Sequence, residues 1–237
     1  GGSTQDMSMP ADMAMAAQAD MAQAACVLNV PTSTCGIFPQ CGCTGTQNCN
    51  VEDDTTGKAS CAASGSVGDW NGCTGNGDGL CAVGRSCVDG VCSPFCAQNS
   101  DCPGSYRECV QVQANGTNIT GFKVCTSFCD PTSPQSSAGG HTACGPNINC
   151  YPNTDHDSYC LGPTTAGGTQ SANCATSNAS DPTKCAPGYA CVGLGLNQFE
   201  CEKFCAVGGS GGCASGYTCS SFATKQYAGT QEIGGCS

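Results

Sequence analysis

The sequence predicts a small disulfide-rich fold, mainly β hairpins and loops. It reads as two tandem copies of a module of roughly 100 residues in an elongated body, behind an N-terminal tail of helical character. Three observations predict it. The chain carries 26 cysteines among 237 residues. Leu, Ile, Val and Phe together number only 28 of those 237, about 12% where roughly 20% marks the floor for a self-sufficient core. The cysteine spacing of the first half also recurs in the second.

Cysteine at this density in a charge-poor chain marks an oxidising compartment, and an even count suits complete pairing. The 34 glycines raise the entropy lost on folding, so a chain this short of bulky aliphatics must be cross-linked to hold a shape. In the chain-entropy account, a bridge closing about 15 residues contributes roughly 3 kcal/mol. Links of that strength, repeated along the chain, outweigh so thin an apolar inventory.

Metal ligation is the competing use of so many sulfurs. Zinc sites favour C-x2-C pairs together with histidines. Here the short spacings are C-x3-C and the C-x-C of Cys41 and Cys43, and the histidines are His141 and His156 alone. Haem-attachment and iron–sulfur spacings do not occur. No cofactor and no metal are therefore expected. The net charge of −11, with its 7 basic residues scattered singly, excludes nucleic acid as a partner. No apolar run reaches transmembrane length. No signal peptide is present either, so the chain reads as mature protein whose export signal has been removed.

The repeat is carried by the gaps between cysteines. From Cys43 through Cys49, Cys61, Cys73, Cys81, Cys87, Cys92, Cys96, Cys102 and Cys109 to Cys125 they are 5, 11, 11, 7, 5, 4, 3, 5, 6 and 15 residues. From Cys144 through Cys150, Cys160, Cys174, Cys185, Cys191, Cys201, Cys205, Cys213 and Cys219 to Cys236 they are 5, 9, 13, 10, 5, 9, 3, 7, 5 and 16. Surface loops absorb differences of this size. Cys92-Ser-Pro-Phe-Cys96 matches Cys201-Glu-Lys-Phe-Cys205, and Gly-Arg-Ser-Cys-Val (84–88) matches Gly-Tyr-Ala-Cys-Val (188–192). Cys35 ahead of Pro39-Gln40 and Cys129 ahead of Pro134-Gln135 add a twelfth pair. Each copy then holds enough cysteines for its own bridges, leaving Cys26 and Cys41 to bond each other. The expected divisions are a tail over 1–25, one module over 26–128 and a second over 129–237.

Turn chemistry fills in the modules. Val88-Asp89-Gly90-Val91 and Asn115-Gly116 are two-residue hairpin signals between strand-forming flanks. Isolated hairpins are marginal in water, so cystines must pin them. Within each module a smaller run recurs: a cysteine, five or six residues, a cysteine, a turn-bearing segment and another cysteine. For one such unit the expected bridges are Cys81–Cys92 with Cys87–Cys96; for the rest, spacing leaves connectivity open.

The tail differs from everything after it. Residues 1–25 contain no cysteine and are mostly Ala, Met, Asp and Gln. Pro10 suits a first helical turn, Ala11 to Ala25 are nearly all strong helix formers, and Met9, Met13, Ala17 and Met21 form one apolar stripe. A lone helix of about 15 residues is marginal in water and needs a surface, on its own body or on a neighbouring subunit. Met9, Met13 and Met21 are the expected docking residues, because thioether side chains adapt to irregular surfaces. A disordered tether is the alternative.

Two resemblances follow from these residues. Cys81-x5-Cys87-x4-Cys92-x3-Cys96-x5-Cys102, with Gly84 ahead of Cys87 and Asp101 ahead of Cys102, resembles the EB and Dickkopf-type cysteine-rich modules. The whole chain resembles cysteine-rich surface lipoproteins of myxobacteria-like bacteria, through Asp6-Met7, Asp12-Met13 and Asp20-Met21 in the tail and the cysteine pattern from Cys35 onward. That resemblance implies an extracellular or outer-surface location, with a membrane reached only through a lipid anchor upstream of Gly1. It implies no activity.

Candidate chemistry is sparse. No nucleophile elbow, P-loop or zinc-protease motif occurs, and oxidised cysteines offer no thiolate, so no enzyme is expected. Glu52-Asp53-Asp54, Asn76-Gly77-Asp78-Gly79 and Asp155 with Asp157 are oxygen-rich but lack the EF-hand spacing, and they read as turns. Asn115, Asn118 and Asn178 head glycosylation sequons that read as polar hairpin loops. Trp70, Tyr151 and Tyr159 either face a glycan or pack on cystines. What remains is a structural or assembly protein, a filament-like homo-oligomer built through the tail. The alternative is a monomeric surface module for adhesion or ligand binding.

Overall fold

A computed structural model describes residues 26–28, 30, 33–51, 58–73, 80–102, 107–114, 116–155, 157–162, 164–165, 167–176, 179–195, 198–209 and 212–237. The tail with Met9, Met13 and Met21 lies outside them, as do His156, Asn115, Asn178, the acidic run 52–54 and the segment 76–79. Among the described residues there are antiparallel strands and three short 3-10 turns but no α-helix. This is the expected mainly-hairpin, disulfide-rich class.

A minimal ladder comes first, β1 (Gly36–Ile37) with β2 (Gln40–Cys41). Then β3 (Gln47–Val51) pairs with β4 (Ala59–Ala63), β5 (Arg85–Val88) with β6 (Val91–Pro94), and β7 (Cys109–Ala114) with β8 (Thr117–Cys125). β9 (Asn149–Pro152) pairs with β10 (Ser158–Leu161), and β11 (Ala175–Thr176) with β12 (Ala179–Ser180) is a second minimal ladder. β13 (Tyr189–Gly195) pairs with β14 (Gln198–Ala206), and β15 (Cys219–Ala228) with β16 (Gln231–Cys236). The turn after β5 has left-handed Asp89 and Gly90, at φ 50° and 77°, as a type I′ hairpin requires.

Six of these hairpins share one plan. In each, a cysteine on the first strand faces a cysteine on the second: Cys49 and Cys61, Cys87 and Cys92, Cys109 and Cys125, Cys150 and Cys160, Cys191 and Cys201, Cys219 and Cys236. Residues so placed hold their Cβ atoms roughly 4.5–5.5 Å apart on one face of the ladder, wider than the mean of about 3.8 Å in a disulfide. Neither bonds the other. Both reach the two cysteines of the loop just before the hairpin. Four cysteines in order therefore join first to third and second to fourth.

The first unit is Cys35–Cys49 with Cys43–Cys61, and the second is Cys73–Cys87 with Cys81–Cys92. The third is Cys96–Cys109 with Cys102–Cys125, and the fourth is Cys129–Cys150 with Cys144–Cys160. The fifth is Cys174–Cys191 with Cys185–Cys201, and the sixth is Cys205–Cys219 with Cys213–Cys236. Cys26–Cys41 pins the segment ahead of the first unit. The expected Cys81–Cys92 pair is present, but Cys87–Cys96 is not. Cys87 reaches back to Cys73, while Cys96 opens the next unit.

Backbone contacts recur between units with the same cysteine order. In the second unit, Trp70 N donates to Cys92 O, Cys92 N to Asn71 O and Phe95 N to Gly84 O. In the fifth, Ser171 N donates to Cys201 O, Cys201 N to Ala172 O and Phe204 N to Gly188 O. Trp70 and Ser171 are both left-handed, at φ 60° and 62°. Buried asparagines clamp neighbouring units in the same way. Asn48 Nδ2 donates to Arg85 O at 2.8 Å, and its Oδ1 accepts from Gly84 N at 3.1 Å. Asn149 Nδ2 donates to Tyr189 O at 2.6 Å, and its Oδ1 accepts from Gly188 N at 2.8 Å. Gly84 and Gly188, at φ 82° and 89°, take a backbone shape that a side chain would strain.

The apolar core is thin and shared between units. Val51 of the first unit packs with Phe95, Ile119 and Phe122. Trp70 and Val91 of the second pack with Ile148 and the cystines of the third and fourth. Ala190 of the fifth packs with Phe204, Ala228 and Ile233. A Phe-Cys pair opens the third, fourth and sixth units, with Phe95, Phe128 and Phe204 all buried. The fifth and sixth hairpins merge into a four-stranded sheet in the order β13-β14-β16-β15, leaving β15 on an edge.

Candidate functional site

The sulfurs are spent on structure. All 26 cysteines are oxidised and none is free. The two bridges of a unit lie side by side, which brings groups such as Cys35, Cys43 and Cys49, or Cys73, Cys81 and Cys92, within 4.8 Å of one another. Such clusters look like metal sites, but a bridge sulfur is not the thiolate a metal requires. Among the described residues no helix is long and apolar enough to cross a membrane. The bridges themselves place the chain in an oxidising environment.

Two concavities among the described residues bear on function. The larger, of about 440 Å³, lies where the second, third and fourth hairpins meet. Trp70, Val88 and Val91 come from the second unit, Val110, Val112 and Val124 from the third, and Asn153, Asp157 and Tyr159 from the fourth. Trp70, read from sequence as a candidate surface aromatic, is only 5% exposed; it packs against cystines. Its carbonyl accepts from Gly145 N at 2.9 Å, and its side chain packs with Ile148 and the cystines of the third and fourth units. Tyr159 is 37% exposed and opens the cavity to solvent.

Two carboxylates stand at this cavity. Asp89, on the type I′ turn, is at the exposed rim. Asp157 is half-buried, and one of its carboxylate oxygens is buried with no hydrogen-bond partner. Burial first, then the neighbouring Glu108 and Asp155 charges, pushes the Asp157 carboxyl above its usual range. The Tyr159 hydroxyl is pushed up by burial and then by Asp89 and Asp157. Among the described residues neither carboxylate has an ion-pair partner; the ion pairs are Arg85 with Asp69 and Lys225 with Glu232.

The second concavity is a groove of about 390 Å³ on the four-stranded sheet. Tyr151 and Phe222 line it over the buried Phe204, together with Ala190, Gly193 and Ala223. Phe204 meets Tyr151 edge-on at 5.8 Å and Phe222 edge-on at 6.3 Å. Tyr151 donates to Pro182 O at 3.1 Å, and burial raises its hydroxyl pKa to about 12. It serves as an aromatic wall, not an acid.

His141 stacks on Phe128 at 4.8 Å, and its Nδ1 is buried without a hydrogen-bond partner. Neither a nucleophile nor a paired carboxylate stands beside it among the described hydrogen-bond partners. In the sequence Asp89 reads as a turn residue and Asp157 as half of an oxygen-rich pair with Asp155. Their meeting across two units has no linear signal, because it depends on how the fourth hairpin docks on the second. Comparison with known protein families, characterised proteins and solved structures finds no match to this chain.

Proposed function

We propose that the chain is an extracellular or cell-surface structural protein. In this reading two tandem copies of one three-hairpin module form a cross-linked building block, and residues 1–25 of one subunit dock on the next. The observation that carries the reading is the aromatic groove on the four-stranded sheet. Tyr151 and Phe222, both half-buried, offer ring surface to the groove over the buried Phe204, and Ala190, Gly193 and Ala223 line it with them. The tail supplies Met9, Met13 and Met21 at helical spacing, and thioethers pack favourably on aromatic rings at about 0.3–1.5 kcal/mol per contact. β15, the neighbouring edge strand, has exposed residues along half of its length, and beyond the bridge of Tyr227 to Asn153 an edge of this kind can accept another chain. A tail-to-groove contact between identical subunits is heterologous and generates a ring or an open filament.

Sedimentation of the native protein tests this directly. The full chain should sediment as an oligomer, whereas a chain lacking residues 1–25, and a full chain carrying Phe222→Asp, should both sediment as monomers. A truncated protein of undiminished oligomeric size would overturn the proposal, as would a full chain that is monomeric at all concentrations.

A further inference from the structure

We propose that the cavity between the second, third and fourth hairpins is a binding site for an organic cation, a primary ammonium carried on an apolar stem. The inference is separate from assembly and holds for a monomer or a polymer.

Two features of the cavity define the ligand. Much of its lining is apolar, with Trp70, Val88, Val91, Val110 and Val124 facing it among the polar Ser93, Gln111 and Thr126. A hydrated metal ion gains nothing from such walls, whereas an alkyl or aryl stem does. Its mouth is anionic, with Asp89 at the rim and Asp157 half-buried beside Tyr159. One oxygen of Asp157 has no hydrogen-bond partner, and a buried acceptor left unmade is costly. An ammonium group supplies three donors and the missing charge. The Tyr159 ring, which stays partly exposed at the cavity, adds an attractive face for a cation. At about 440 Å³ the space suits one small ligand or one inserted side chain, within the roughly 300–1,000 Å³ usual for ligand clefts. Burial lifts the Asp157 carboxyl above its usual range, and a bound cation would bring it back down.

The experiment uses the full chain with its bridges intact. Trp70 is the single tryptophan of the protein, so its fluorescence reports the cavity with no competing signal. Pentylammonium chloride and N-acetyl-lysine amide are the two probes, representing a free amine and a lysine side chain from a partner; 1-pentanol and calcium chloride are the controls. Saturable change of Trp70 emission by at least one ammonium probe is expected, with no saturation by pentanol or calcium. The tighter probe names the source. Asp157→Asn and Asp89→Asn, which keeps the Asn-Gly turn chemistry, should each weaken the ammonium probe roughly tenfold while leaving the probe-free emission spectrum unchanged. Failure of both ammonium probes to saturate would overturn the proposal. So would equal binding of pentanol, saturation by calcium alone, or unchanged affinity in both variants.

Discussion

Replacing Asn48 by alanine should open one joint of the array and leave its counterpart closed. Asn48 is 2% exposed and spends its whole amide on the second unit, donating to Arg85 O and accepting from Gly84 N. Each bond is worth about 1 kcal/mol net, and each backbone group left unpaired in the interior costs about 1–3 kcal/mol. Because Gly84 is only half-buried, water partly rescues it, which puts the loss near 2–4 kcal/mol. Amide hydrogen exchange is the suitable assay, since it reads the opening of a single joint amide by amide. The Gly84 amide should exchange roughly 30- to 1,000-fold faster in Asn48→Ala, at 1.36 kcal/mol per decade, while Gly188 is unaffected. Asn149→Ala should do the reverse, because Asn149 holds Gly188 and Tyr189 in the same manner. Unchanged exchange at Gly84 in Asn48→Ala, or equal acceleration at both glycines, would refute the reasoning.

Removing one bridge should be a local injury. The paired substitution Cys73→Ser with Cys87→Ser deletes a link of sequence separation 14, which costs about 3 kcal/mol in the chain-entropy account; exchange should quicken in β5 and β6 but not in β15 and β16. Acid should stabilise the neutral-pH protein before it harms it. Burial raises the carboxyl pKa of Asp157 and of Glu202, so the folded state binds protons more readily than the unfolded chain. The melting temperature by near-ultraviolet circular dichroism should therefore rise as the pH falls from about 7 toward their unfolded values near 4. Glu202→Gln should flatten part of that rise, and a melting temperature that falls steadily over the same range would contradict the assignment.

Much of this architecture is written in local chemistry. The Asp89-Gly90 turn follows from two residues that tolerate positive φ, and the Cys26–Cys41 and Cys81–Cys92 links follow from parity and spacing. The four-cysteine unit was only half visible. Its second and third cysteines are separated by five residues in five units and by six at Cys102 and Cys109, because that short arm fixes how the loop enters the strand. The first arm varies from five residues between Cys96 and Cys102 to 14 between Cys129 and Cys144, which hides the recurrence. Cys87–Cys96 failed as an expectation because proximity along the chain is a poor guide where facing strands send both sulfurs to a preceding loop. The cavity was less legible still. Asp89 and Asp157 lie 68 positions apart, and only the seating of the fourth hairpin against Trp70 brings them to one mouth. The Asn clamps leave a faint trace, an Asn immediately before Cys49 and before Cys150, which acquires meaning once its bonds to Gly84 and Gly188 are known.

Each of the six hairpins is closed by its own two bridges, first cysteine to third and second to fourth. Proteolysis of the unreduced protein at acid pH, where exchange of disulfides is suppressed, followed by mass spectrometry of the linked peptides, reads that pattern directly. The predicted map holds Cys73–Cys87 with Cys81–Cys92, Cys174–Cys191 with Cys185–Cys201, and the same order in the other four units. A peptide joining cysteines of different units, such as Cys87 to Cys96, or an alkylated thiol at any of the 26 positions, would contradict it.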